Sequence, residues 1–374
     1  MKLKITFFVL TILTSFHVFS QNTYVFLGSY NKDKTAESIQ VYQLDTVNGN
    51  LSKITGVKNI INPSYLTVSP NGKYVYACTD TKTPNAGSVS SFEFSPENKA
   101  LTFLNKQASG GENPVYITIH KNGKWIANAN YNEGSVSVFP VLENGTIDSI
   151  AQNFKYTDGS THKERQTRSH VHSAVFSPNF DYLFLPDLGA DKIRCYRFDT
   201  KQKKPLIEAE FPFTKTDLEA GPRHFTFHPN QKIGYCIEEM AGYISVYQYK
   251  NGSLKKMQRI STHPETVTEG FASSDIHISP DGKFLYASNR GKENNIAIFS
   301  INKKGLLKPV GYQSALGDHP RVFALDETGN FLITTNVNSG NVVVFKRDKK
   351  SGLLTKAGNE ILMENVSCVQ IKRI

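Results

Sequence analysis

The chain has 374 residues, 39% hydrophobic, 20% charged and 11% aromatic, with a formal net charge of +10. That apolar content supplies a large core and excludes a disordered chain, and ordinary levels of Gly and Pro exclude collagen-like and low-complexity classes. Four cysteines cannot build a dense disulfide framework, and 24 Phe and 17 Tyr against a single Trp favour strands over helices.

Residues 1–20, MKLKITFFVLTILTSFHVFS, read as a secretory leader. Lys2 and Lys4 form a basic start, Ile5 to Leu13 an apolar stretch, and Val18 and Ser20 fit a cleavage site before Gln21. The apolar run is short for a span of about 30 Å of hydrocarbon. Cleavage leaves residues 21–374 at a formal charge of +8 and places the chain in the periplasm or outside the cell, with no membrane partner once the leader is gone. Basic residues adjoin only in pairs such as Lys203-Lys204 and Lys349-Lys350, so a solvated basic surface is expected and not a nucleic-acid interface.

The chain then repeats itself. PSYLTVSPNGKYVYACTD (63–80) returns at 114–131, 171–188, 222–239, 273–290 and 320–337. Each copy has an alternating apolar strand, a turn rich in Asn, Asp and Gly, and a second apolar strand, the signature of a β-hairpin. A third strand with an aromatic near its end follows most copies (SVSSFEF, KIRCYRF, NIAIFSI), and usually a fourth apolar stretch such as LTFLNKQ or LKKMQRI. Four short strands per unit of about 50 residues mark a propeller blade. A seventh unit is split: VSCVQI (366–371) reads as its first strand, YVFLGSY (24–30) as its second and SIQVYQL (38–44) as its third. The expected fold is therefore an all-β, seven-bladed β-propeller whose last blade is closed by strands from both termini, with about 51 residues per blade and nothing left for a second domain. The longest irregular insert, 153–169, suits a lid or rim element. Cys78, Cys195, Cys236 and Cys368 lie in strand-like runs without C-x-x-C spacing. Buried free thiols are expected, and zinc is not indicated.

Residues that serve the fold should recur in each copy, whereas residues that serve a ligand need not. The second position of the first strand reads Ser64, Val115, His172, Arg223, Ser274, Arg321 and Ser367, and the next position adds His224 and Asp275. At the end of the second strand the penultimate position is polar throughout: Ser29, Thr79, Asn130, Asp187, Glu238, Asn289 and Asn336. A turn or hydrogen-bonding role fits its Asn members. The last position diverges: Tyr30, Asp80, Tyr131, Leu188, Glu239, Arg290 and Val337. First strands line the channel of a propeller and function collects at its mouth. These positions therefore propose one positively charged pocket of His172, Arg223, Glu239, Arg290 and Arg321, suited to a carboxylate, a phosphate or a developing oxyanion. A salt-bridged plug is the competing reading. His120 and His228 occupy equivalent places before turns and read as structural. His170 and His172 would share a strand face, but no third metal ligand is evident.

The runs NPSYLTVSPNGKYVYA, ANYNEGSVSVFPV, SHVHSAVFSPN, GPRHFTFHPN and SPDGKFLYASNR resemble the lactonase family of seven-bladed propellers. That family includes a bacterial 6-phosphogluconolactonase and fungal 3-carboxy-cis,cis-muconate lactonizing enzymes, and the likeness covers residues 22–374. The resemblance implies a catalytic set of His172, Arg223, Glu239 and Arg290. It also implies a lactone substrate, anionic given the arginines; no cofactor is expected, and no metal-ligand set is evident in the residues. Glu239 or His172 would activate water or shuttle the ring-oxygen proton, and Arg223 and Arg290 would polarise the carbonyl and hold the anion. Arg321 would bind a carboxylate or phosphate, with His224 and Asp275 as further substrate contacts. The expectation is a secreted lactonase acting on a sugar-type or acidic lactone. The alternatives are a non-catalytic binding propeller and a muconate-type cycloisomerase.

Overall fold

The computed structural model describes residues 21–374. The leader expected at residues 1–20 lies outside them. The described chain folds into 28 strands arranged as seven four-stranded antiparallel sheets, with no helix among the described residues. Blades 1 to 6 are the six internal copies in chain order. Blade 7 pairs Val366–Arg373 with Thr23–Ser29, from Thr23 opposite Arg373 to Ser29 opposite Val366, so the two ends of the chain close the ring. The core runs unbroken across that closure, from Phe26 and Val369 to Leu66 and Tyr76 of blade 1 and Ile333 and Val344 of blade 6.

Burial follows position in the blade. Second strands such as Tyr74–Thr79, Phe284–Asn289 and Phe331–Asn336 are buried at each residue, which is why they read as continuous apolar runs. Fourth strands such as Leu354–Leu362 face water along much of their length. The turn between first and second strands requires a left-handed residue. Gly72, Gly123, Gly282 and Gly329 supply it at φ of 74°, 71°, 69° and 66°. Phe180 and Gln231 hold the same place in blades 3 and 4 at 65° and 64°. Phe180 offsets the strain by stacking on Phe176 at 5.4 Å, and its carbonyl accepts from His120 Nε2 at 3.1 Å. His228 does the same toward the Gly282 carbonyl at 2.9 Å. In both copies Nδ1 accepts the N–H of the Asn two residues on, so these two histidines serve the turns.

Two devices explain the second position of the inner strands. The first is a bulge. Pro222 faces Glu238 while His224 faces Ile237, leaving Arg223 as an extra residue, and the same shift isolates Val115, Arg321 and Ser367. A bulge re-aims the side chain it carries. The second is a serine staple between blades. Ser274 Oγ donates to the Arg321 carbonyl at 2.7 Å and Ser367 Oγ to that of Ser64 at 3.0 Å. In blade 3 the neighbouring Ser173 Oγ donates to the Arg223 carbonyl at 2.8 Å. Serine here joins the ring, whereas arginine at the same bulge turns into the channel mouth.

Two details differ from the sequence reading. The insert begins later than 153, because Gln152–Lys155 forms the fourth strand of blade 2. The inner strand of blade 3 is only Val175–Phe176, with a single bridge from Val171 to Asp187, so His170 and His172 do not share a regular strand face. Asp187 takes up the backbone N–H of His170 at 2.8 Å and Ser169 Oγ at 2.6 Å, and this pulls the segment out of the ladder. All four cysteines are buried free thiols, and burial pushes Cys195 and Cys368 up to about 12.

Candidate active site

The penultimate ring is structural. Asn130 Nδ2 donates to the Ser109 carbonyl, Asn289 Nδ2 to that of Thr262 and Asn336 Nδ2 to that of Ala315. Glu238 is taken by Ser245 and Arg259, and Asp187 by Arg194 and Ser169. Each residue ties the end of a second strand to its surroundings.

The last position gathers the charged groups of the candidate site. Glu239 sits between three guanidinium groups, with Arg223 Nε at 2.9 Å, Arg290 Nη2 at 3.0 Å and Arg165 Nη2 at 2.8 Å. Arg223 is fully buried. Its Nη1 donates to the Ser274 carbonyl at 2.9 Å and to His224 Nε2 at 3.1 Å, and its Nη2 is buried without a partner. Arg290 is fixed by its Nε on the Ala272 carbonyl at 3.1 Å. His172 is also buried, with its Nδ1 unpartnered, and its ring stands 5.3 Å from His224 and 5.4 Å from Tyr131. Arg321 has its guanidinium 5.3 Å from the Tyr30 ring, and no carboxylate pairs with it among the described residues. The structure thus brings His172, Arg223, Glu239, Arg290 and Arg321 to one mouth. His224 and Asp275 lie one layer deeper and bind each other, Nδ1 to Oδ1 at 2.7 Å.

Electrostatics separates their roles. Burial opposes ionisation of Glu239, but the charges of Arg290, Arg223 and Arg165 outweigh it and hold the carboxyl far below its ordinary range. Glu239 is therefore a fixed anion that orients guanidinium groups and a poor proton acceptor. Burial, followed by the charges of Arg223, His224 and Arg321, keeps His172 neutral, well below the usual imidazole range. A neutral imidazole with a free ring nitrogen can take a proton.

Several mouth residues lay outside the sequence selection. Arg165 comes from the insert, which has no counterpart in other blades, and also reaches Tyr131 Oη at 3.4 Å. The insert is bolted to blade 3 by Gln166 Nε2, which donates to the Leu188 carbonyl and to Asp191 Oδ1, both at 2.8 Å. Tyr30 and Tyr131 stood in the divergent last position, a usable signal. Lys82 and His319 each lie two residues from a ring position and carried none. Lys82 Nζ stands 3.7 Å from the Tyr30 ring centre. Partial burial there, with the charges of Arg321, Lys32 and Arg290, draws it down to about 8. Burial and the fields of Arg290 and Arg321 draw His319 down to about 4.

The closed propeller gathers cationic groups around one buried carboxylate and one neutral histidine at the channel mouth, which makes the mouth the candidate site. The lactonase family model, described as a seven-bladed beta-propeller, matches residues 24–371. The chain is 41% identical to a 6-phosphogluconolactonase of Formosa agariphila, over 93% of this chain and 99% of that one. It is 32% identical to the 6-phosphogluconolactonase of Bacillus subtilis, over 92% and 97%. The solved periplasmic gluconolactonase of Pseudomonas aeruginosa superposes with a TM-score of 0.88 at 30% identity, covering 94% of this chain and 99% of that one. The chain belongs to the lactonase family of seven-bladed β-propellers and is a 6-phosphogluconolactonase-like lactone hydrolase.

Proposed function

We propose that this lactonase is exported and hydrolyses an anionic sugar lactone at the channel mouth. The observation that carries the reading is the pair of buried, unpartnered nitrogens, Arg223 Nη2 and His172 Nδ1, set beside Arg290 and Arg321. A buried polar atom without a partner costs about 1–3 kcal/mol, and a bound carbonyl and water would satisfy both. Export is supported by the basic start and apolar stretch of residues 1–20 and by a family relative described as periplasmic.

In this reading water adds to the lactone carbonyl carbon while His172 Nδ1 accepts its proton. The developing oxyanion is met by Arg223 Nη2 and Arg290, already held in place by Glu239, so little reorganisation is needed as charge develops. Collapse of the tetrahedral species breaks the bond from carbonyl carbon to ring oxygen, and the proton on His172 passes to that oxygen. The new carboxylic acid ionises, so each turnover releases one proton. Arg321 and Lys82, flanking Tyr30, hold the substrate's second anionic group.

Proton release by residues 21–374 is the test, with the spontaneous rate subtracted. The panel is a neutral aldonolactone, its phosphate ester and a carboxylated analogue. The expected result is saturable turnover, with kcat/KM at least about tenfold higher for the anionic members. Equal turnover of neutral and anionic lactones would remove the anionic-substrate assignment.

A further inference from the structure

Below the mouth, a line of hydrogen bonds runs down the inner strands of blades 4 and 5. Arg223 Nη1 donates to His224 Nε2 at 3.1 Å. His224 Nδ1 donates to Asp275 Oδ1 at 2.7 Å. The other carboxylate oxygen, Asp275 Oδ2, accepts from His277 Nε2 at 3.0 Å and from the Phe323 N–H at 3.0 Å. His277 is the outer end of this line. Its side chain is 37% exposed and lines a cavity of about 370 Å³ that also touches His224 and Asp275. The lactonase chemistry proposed above does not use it.

We propose that His277 is a positioning residue for Arg223, acting through Asp275 and His224. The assignment rests on the mouth being the reaction site. The first link dictates the tautomer. Arg223 can only donate, so His224 Nε2 must be unprotonated and its proton must lie on Nδ1, facing Asp275. A second proton on His224 would set an N–H against the Arg223 N–H and break the link that aims Nη2 into the mouth.

Whether His224 takes that proton depends on the charges around it. Arg223, Arg321 and His172 face it from the mouth side, the Tyr116 and Tyr65 rings from blades 2 and 1, and Asp275 from blade 5. Burial and then Arg223 draw His224 down to about 4, against the pull of Asp275. For His277 burial acts the same way, but Asp275, the one charged group facing it among the described residues, outweighs burial and holds it above the ordinary imidazole range. His277 is thus the member of the line whose positive charge is favoured, by its bond to Asp275 Oδ2. That charge balances Asp275 and leaves His224 as a neutral acceptor.

His277→Gln retains an N–H donor for Asp275 and removes the charge. With Asp275 unbalanced, His224 gains proton affinity, so the acid limb of kcat/KM should move up by about one pH unit. The loss should fall on kcat, about twofold near pH 5 and about fivefold near pH 4, with KM little changed. Imidazole ¹⁵N NMR reads the line without turnover. His224 of the unaltered chain should show the neutral Nδ1–H form from pH 8 to 5, and in His277→Gln its second proton should arrive at higher pH. An Nε2–H form of His224, or a titration of His224 that does not move in the variant, overturns the proposal. So does an unmoved acid limb in a set where Arg223→Ala is inactive. Full activity of Arg223→Ala would instead overturn the mouth as the reaction site, and the role of His277 with it.

Discussion

Arg223→Ala is expected to lower kcat/KM for lactone hydrolysis by about a thousandfold, the scale of losing a preorganised oxyanion donor in a dry site. The bulge in Pro222–Phe227 turns Arg223 out of register and into the channel. There Glu239, the Ser274 carbonyl and His224 hold all of its guanidinium except Nη2. Truncation also leaves Glu239 buried, but Arg290 and Arg165 remain paired with it, so the fold should survive. Glu239→Gln probes the same arrangement from the other side. The neutral amide no longer fixes three cations, and a loss of about a hundredfold is expected. Melting by circular dichroism alongside the kinetics separates lost chemistry from lost structure. Folded variants that turn over lactone at the unaltered rate would remove both residues from the mechanism.

Ending the chain at Asn365 is expected to abolish cooperative folding. The deleted segment supplies the inner strand of blade 7, and Val366, Cys368 and Val369 within it are fully buried. Each buried apolar side chain is worth about 1.5–3 kcal/mol, to be set against a total stability of about 5–15 kcal/mol for a typical domain. The deletion also leaves the Thr23–Ser29 strand without its Val366–Arg373 partner and cuts the link from Ser367 to the Ser64 carbonyl. An unpaired strand in the middle of a ring is an open template for aggregation. A sigmoidal thermal melt within about 5 °C of the intact chain would show that closure matters less than this account holds.

The ring was legible in the sequence because each blade buries one hairpin in the same way. The alternating first strand, the Asn-Gly or Asp-Gly turn and the fully apolar second strand recur wherever their physical cause recurs. The split blade was legible for the same reason, since VSCVQI and YVFLGSY carry the pattern of a first and a second strand. The candidate site was legible by subtraction. Ser274 and Ser367 staple blades together, whereas Arg223 and Arg321 occupy the same bulge without that duty.

What remained hidden depends on contacts that no repeat encodes. Arg165 belongs to an insert found in one blade, and its reach to Glu239 follows from how Gln166 anchors that loop. The short inner strand of blade 3 follows from Asp187 capturing Ser169 and the His170 N–H. The sequence left Glu239 and His172 as equal candidates to move the proton. Three arginines surround Glu239 and none is bonded to His172 Nδ1, which is why the proposed mechanism moves the proton through His172.

The most direct test is a crystal structure of the chain soaked with the aldonate product of an anionic sugar lactone. The new carboxylate is expected at the mouth, within hydrogen-bond distance of Arg223 Nη2 and Arg290 and beside His172 Nδ1, with the second anionic group at Arg321 and Lys82. A carboxylate seated elsewhere, with Arg223 Nη2 and His172 Nδ1 still unpartnered, would contradict the proposed mechanism.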